Sequence, residues 1–199
     1  MTCVRRPLAC SSGPWDDRRW DERAAPVSVA VLLLLAGLTG AGAVLTPRSD
    51  TRRSALSAVL LVVGLGASAA LALWAGRVGD WVETAGTLLA VSAAALGGGP
   101  IATAVLRAAD PDHGPARRRA SDPEVLRGGT WIGVLERTAM AATVLAGFVE
   151  GLAVLVAIKG LGRFNELKAP VASERFIIGT LASGLWALGC VGVAVLLRR

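Results

Sequence analysis

Two carboxylates, Glu136 and Glu150, lie in one long apolar stretch near the C-terminus of the chain. An ionised residue at the centre of a bilayer-spanning helix costs about 2.5–3.5 kcal/mol on insertion scales, so each needs a partner or a role. On one continuous helix, Glu150 would lie about 21 Å from Glu136 and about 14 Å from Lys159. A carboxyl group at that depth suits proton or ion handling, or a buried helix contact in which it is protonated or hydrogen-bonded.

The spacing of polar residues in this stretch favours one shared face. At 100° per residue, a single stripe of a continuous helix contains Glu136, Met140, Thr143, Gly147 and Glu150. We therefore expect Glu150 to face another helix of a bundle. The opposite face is apolar and suits lipid or apolar packing.

Further ionisable residues cluster around the connector that follows this stretch. Lys159, Arg163 and Glu174 would crowd one membrane surface, either as a functional group or as ion pairs of a solvated loop. The complete set of candidate polar positions is Glu136, Arg137, Glu150, Lys159, Arg163, Glu174 and Thr180.

The elements that must position these residues are transmembrane helices. Hydrophobic residues make up 53% of the chain and charged residues 18%, and the apolar residues collect in runs of about 20, the length that crosses a bilayer. This pattern predicts an all-α polytopic bundle of about five spans, the last two forming an antiparallel hairpin. The predicted spans are about 26–46, 54–76, 83–106, 131–158 and 174–197.

The third predicted span contains a helix-weakening sequence, Gly97, Gly98, Gly99 and Pro100. Pro100 cannot donate to the carbonyl of Leu96, so a kink or a break is expected there. Broken helices at mid-membrane line substrate sites in many transporters, whereas a kinked helix packed tightly on a neighbour is the simpler alternative.

The remaining segments are polar. Residues 1–25 have no apolar period and predict a disordered tail, and residues 107–130 predict a flexible linker. The 21 Lys and Arg residues exceed the 15 Asp and Glu residues, but they flank the apolar runs, so they suit lipid headgroups and topology rather than nucleic acid. With five spans the basic residues divide ten to ten between the two sides, which leaves the orientation undecided.

The C-terminal part of the chain carries a pattern that resembles a known family. IGVLER, the mid-helix Glu150, AIKGLGRFNELK and SERFIIGTLAS, within about residues 131–189, are similar to the signature of an uncharacterised family of bacterial and phage integral membrane proteins. The matching positions are Gly133, Glu136, Arg137, Lys159, Arg163, Phe164, Glu174, Gly179, Thr180 and Ser183. The resemblance implies a bacterial membrane protein and supplies no activity.

These patterns favour a protein that is not an enzyme. The lone His113 and the dispersed Cys3, Cys10 and Cys190 predict neither a metal site nor a cofactor. The leading hypothesis is a structural or interaction subunit of the cell (cytoplasmic) membrane that contacts lipid and another membrane protein or a second copy of itself. The alternative is a small oligomeric transporter or ion-conducting protein that uses Glu150 and a break at residues 97–100. A water-accessible cavity joining those two features would favour transport, and a filled contact would favour the structural role.

Overall fold

The computed structural model describes residues 17–45, 51–75, 78–109, 129–165, 168 and 170–199, and within them the fold is entirely α-helical. The predicted helical bundle is confirmed. The helices are α1 (Asp17–Leu45), α2 (Thr51–Ala75), α3 (Asp80–Ala109), α4 (Gly129–Leu145), α5 (Gly151–Gly162) and α6 (Pro170–Leu197).

Four of these helices carry apolar segments long enough to cross a bilayer, which makes the chain a membrane protein. The segments are Pro26–Leu45, Ala55–Ala75, Asp80–Ala109 and Pro170–Leu197. At 1.5 Å per residue they measure about 30–45 Å, against a hydrocarbon core of about 30 Å. They correspond to the first, second, third and fifth predicted spans.

Helix α1 begins earlier than the sequence suggested. Residues 17–25, predicted to belong to a disordered tail, extend the helix ahead of Pro26, which the helix accommodates internally. Once an apolar segment has formed a helix, each further residue adds one hydrogen bond without a new nucleation step, so such extensions are favourable. Residues 1–16 and most of the predicted linker, residues 110–128, lie outside the described residues.

The centre of the bundle is the antiparallel contact of α3 with α6. Gly86 faces Leu197, Gly97 faces the indole of Trp186, and Gly179 faces Leu106, so positions rising along α3 meet positions falling along α6. Fully buried residues of both helices form the core together with residues of α1 and α2. Its main members are Val31, Leu35, Leu61, Ala90, Ala93, Ala94, Trp186, Ala187, Cys190, Val193, Ala194 and Leu197.

Helix α1 approaches α3 almost backbone to backbone. A Cβ atom on Gly42 would lie 2.8 Å from the backbone nitrogen of Gly97 and 2.9 Å from its Cα atom. Gly86 lies beside Leu32, so α1 and α3 run in the same direction. The contact therefore depends on the absence of a side chain at Gly42.

The expected break at residues 97–100 is not present, because α3 remains helical through Pro100. The space left by the glycines is filled by side chains. A Cβ atom on Gly97 would lie 2.6–2.8 Å from the Trp186 ring, and the indole Nε1 donates to the carbonyl oxygen of Ala93 at 3.0 Å. The segment is thus a tight packing site, the simpler of the two alternatives.

The fourth predicted span, about residues 131–158, is instead two helices separated by a tight turn. Gly147 has a φ of 75°, and the N–H groups of Gly147 and Phe148 donate to the carbonyls of Val144 and Thr143, both at 3.0 Å. This pair of bonds is a Schellman cap, which ends α4 at a glycine in the left-handed region. The resulting helices are 17 and 12 residues long, shorter than any of the four apolar spans.

Helices α4 and α5 form an antiparallel hairpin. Next to the turn, a Cβ atom on Gly151 would contact the Thr143 side chain, and farther from the turn Lys159 pairs with Glu136. Positions rising along α5 therefore meet positions falling along α4. Helices α3 and α6 are antiparallel, and contacts at Arg137 and Met140 align α4 with α6. Helix α4 therefore starts at the end of the bundle where α3 finishes, and α5 returns to that end.

Candidate functional site at Arg137 and the α4–α5 hairpin

Arg137 is the most deeply placed charged residue of the described chain. Only 7% of the residue is exposed. Its Nε atom donates to the carbonyl oxygen of Ala95 at 2.8 Å, and its Nη1 atom donates to the Ser183 hydroxyl at 3.2 Å. One guanidinium thereby joins α4 to α3 and α6.

The guanidinium lies near the middle of the bundle. Its acceptor, Ala95, is twelve residues from Glu83 and twelve residues from Arg107, the charged residues that bound the apolar part of α3. Twelve residues correspond to about 18 Å of helix in each direction. Arg137 therefore occupies the depth that the sequence analysis had assigned to Glu150.

Two glycines make room for this side chain. A Cβ atom on Gly98 would clash with Cδ of Arg137 and lie 2.7 Å from Nε, and a Cβ atom on Gly133 would lie 3.0 Å from Nη1. A helical side chain leans toward the N-terminus of its own helix, which brings Arg137 over the residue four positions earlier, Gly133. The space for the Arg137 side chain therefore depends on a glycine in α3 and a glycine in α4.

An ion pair closes the open end of the hairpin. The Nζ atom of Lys159 donates to Oε2 of Glu136, and the two side chains are 22% and 24% exposed. The same Nζ atom lies 6.0 Å from the centre of the Phe176 ring, on α6. Opposite charges that are partly shielded from water stabilise each other more than a fully exposed pair does, and here they hold α5 against α4.

The predicted burial of Glu150 is wrong. Glu150 is exposed at the tip of the hairpin, and its side chain does not cap α5, although it occupies the N-cap position. The predicted stripe ends at Gly147, where the chain turns, so Glu150 does not continue the face of Met140, which is buried. The Thr143 hydroxyl donates at 2.7 Å to Ala139 in its own helix and does not reach Glu150.

The remaining candidate positions divide between the cluster and the surface. Thr180 is 9% exposed and lies one turn before Ser183 on the same side of α6, next to the Arg137 contact. Arg163, at the end of α5, and Glu174, near the start of α6, are exposed. The structure thus brings Glu136, Arg137 and Lys159 together, places Thr180 one helical turn from Ser183, and leaves the other candidates exposed.

Sequence reasoning missed three partners of Arg137. Ala95 contributes a backbone carbonyl and has no distinguishing side chain, Gly98 was assigned to a helix-weakening sequence, and Ser183 was named only as a position of the family signature. The available signal was Arg137 itself, an ionisable residue six positions beyond Trp131 in an apolar run. The same argument from depth that singled out Glu150 applies to it.

Comparison with known protein families, curated proteins and solved structures finds no match to this chain. The function must therefore be argued from the site. The arrangement can anchor three helices through a buried cation and present an apolar hairpin at the surface of the bundle.

Proposed function

We propose that the protein is a non-enzymatic, multi-pass interaction subunit of a bacterial cytoplasmic membrane. Its α4–α5 hairpin binds a transmembrane helix of another membrane protein, and lipid surrounds the other outward faces. Membership of the bacterial and phage family that the C-terminal signature resembles belongs to the same proposal.

The main observation in support of this proposal is that α5 packs against few other parts of the described bundle. Among the described helices, the backbone of α5 approaches only α4. Its apolar side chains Val154, Ile158 and Leu161 are 54–73% exposed, and α5 spans only about 18 Å. A short helix with one neighbour on the bundle has most of its surface available for a partner.

Glu150 indicates what kind of partner fits. The carboxylate lies beside exposed Phe148 and Val149, and no hydrogen bond or ion pair joins it to another described side chain. A carboxylate next to apolar surface at membrane depth favours a partner that supplies a positive charge or a strong hydrogen-bond donor. A second copy docked tip to tip would place two carboxylates together, so a different protein with a basic or amide side chain is the better fit.

The packing of α3 supports this role over transport through residues 97–100. That segment is filled by the side chains of Trp186 and Arg137, and Glu150 lies at the hairpin tip on another part of the bundle. This arrangement favours the interaction role, because the transport hypothesis needs a water-accessible cavity that joins these two features.

Site-specific photocrosslinking in the native membrane tests the proposal. A photoreactive residue at Leu161, on α5, is expected to give a crosslink to one defined protein, whereas the same residue at Leu60, equally apolar and 70% exposed on α2, gives none. Glu150→Lys should abolish the Leu161 crosslink, and Glu150→Gln should weaken it about tenfold or less. Mass spectrometry should place the crosslinked residue about 16 Å along the partner helix from a basic or amide residue, because that distance separates Leu161 from Glu150 along α5.

Two results would overturn the proposal. Lipid adducts alone at Leu161 would leave the hairpin a lipid-facing element. A crosslink to a second copy of this chain would replace the heterologous partner with a homo-oligomer.

A further inference from the structure

The polar cluster between α4, α5 and α6 carries an excess positive charge. Arg137 and Lys159 contribute two cations, and Glu136 contributes the single carboxylate, which is paired with Lys159. No described carboxylate forms an ion pair with Arg137. A charge held away from water without a counter-ion is strongly unfavourable, so the cluster is one negative charge short of balance.

Arg137 also has hydrogen-bond donors to spare. A guanidinium carries five N–H groups, and within the described residues only Nε and Nη1 donate to an acceptor. Every fully enclosed side-chain nitrogen or oxygen of the described residues has a partner, so Nη2 is not fully enclosed. The donors of Nη2 are therefore not completely enclosed by the described residues.

Two hydroxyl groups of α6 lie close to the guanidinium or within one helical turn of its contact. Ser183 accepts from Nη1, which leaves its own O–H free to donate in turn. The Thr180 hydroxyl, one turn away on α6, forms no hydrogen bond with another described residue, although the residue is 91% buried. Other threonines of the bundle, such as Thr103 and Thr138, donate to the carbonyl four residues earlier.

We infer that this cluster is a binding site for one small monovalent anion of halide size. The anion contacts Nη2 of Arg137 and accepts from the hydroxyls of Ser183 and Thr180. The single unbalanced positive charge sets the valence, and the close packing around Arg137, which is only 7% exposed, sets the size. This site is independent of the proposed partner helix, because Glu150 and the exposed face of α5 take no part in it.

Thermal unfolding of the purified full-length protein in detergent tests the site. Bromide is titrated against gluconate at constant ionic strength. The melting temperature is expected to rise with bromide and then saturate, because an anion that binds only the folded state stabilises it by mass action. A general salt effect would be equal for both anions or would not saturate.

Matched hydroxyl deletions show where the anion binds. Ser183→Ala and Thr180→Val should each weaken the apparent bromide affinity about tenfold, the effect of one lost hydrogen bond to a charged group. Ser92→Ala and Thr103→Val remove exposed hydroxyls that bond within α3, and they should leave the affinity unchanged. Arg137→Gln should remove the saturable effect.

If Arg137→Gln does not fold, the two hydroxyl variants still decide the question. Absence of a saturable bromide effect in the unaltered protein would overturn the inference. An effect equally strong in the cluster variants and the control variants would overturn it too. Loss of the Leu161 crosslink without any change in the bromide response would refute the proposed partner alone.

Discussion

The α3–α6 contact and the α4–α5 hairpin lie side by side in one bundle, yet different forces hold them. Helices α3 and α6 meet through glycine, alanine and one tryptophan, in a contact that Gly42 extends to α1. The hairpin combines apolar packing of α4 with charged contacts: Arg137 joins α4 to α3 and α6, and the Glu136–Lys159 pair joins α5 to α4. The first contact is fixed by shape, whereas the second also depends on a few polar bonds.

This difference follows from the bilayer as a solvent. Lipid tails are as apolar as leucine, so spanning helices gain their affinity from close van der Waals packing and from hydrogen bonds between helices. The α3–α6 contact relies mainly on close van der Waals packing, whereas the hairpin relies also on hydrogen bonds between helices. A region held by few bonds can also rearrange to admit a partner or an ion without disturbing the core.

If α4 and α5 crossed the membrane as one unit, they would form a fifth span instead of a hairpin. The hairpin predicts that Asn165, just after α5, lies on the same side as Ala109, at the end of α3, and opposite Gly79. With single cysteines at these positions, an impermeant maleimide should label Ala109→Cys and Asn165→Cys from one side and Gly79→Cys from the other. Labelling of Asn165→Cys together with Gly79→Cys would show a complete crossing.

The same experiment sets the orientation. In the hairpin arrangement the flanking basic residues divide twelve to eight in favour of the end at Ala109, instead of ten to ten. Because cytoplasmic segments of membrane proteins carry the excess of Lys and Arg, the Ala109 end is expected to be cytoplasmic.

The shape-dependent contact is best tested at Gly42. Gly42→Ala places a methyl group 2.8–2.9 Å from backbone atoms of Gly97 and Leu96. Backbone atoms of a packed helix cannot move aside as the end of a flexible side chain can. We expect a loss of about 1–3 kcal/mol in the free energy of unfolding, measured by denaturation in detergent. Gly40→Ala, on the same helix with nothing within 4 Å, should instead be neutral or stabilising by up to about 1 kcal/mol. Equal effects of the two substitutions would contradict a backbone-to-backbone contact.

The two regions also differ in how far the sequence revealed them. The four long helices follow from apolar length alone, a signal that bilayer thickness makes strong. The turn at Gly147 was missed because a glycine in an apolar run is equally compatible with a continuous helix. The available clue was local: Gly147 followed by the apolar Phe148 matches the C′ and C″ positions of a Schellman cap.

The turn at Gly147 explains why the sequence analysis placed Glu150 wrongly. Helical periodicity carried the face of Glu136 and Met140 forward to Glu150, but a reversal of direction at Gly147 cancels it. The partners of Arg137 could not be predicted from the sequence, for a different reason. The Ala95 carbonyl belongs to a helix 42 residues earlier in the chain, and only tertiary packing brings it near.

Loss of the Glu136–Lys159 pair should change the stability of the protein only slightly, and the change should be confined to the hairpin. Glu136→Gln, Lys159→Met and the double variant form a double-mutant cycle, for which we expect a coupling of about 1 kcal/mol because the pair is only partly shielded from water. The location of the effect matters more than its size. Hydrogen exchange should accelerate in residues 151–162, since the backbone of α5 approaches no described helix other than α4, while residues of α3 and α6 keep their protection. Equal acceleration in α3, α5 and α6 would mean that the hairpin and the core unfold as one cooperative unit. That result would contradict a hairpin that opens independently of the α3–α6 contact.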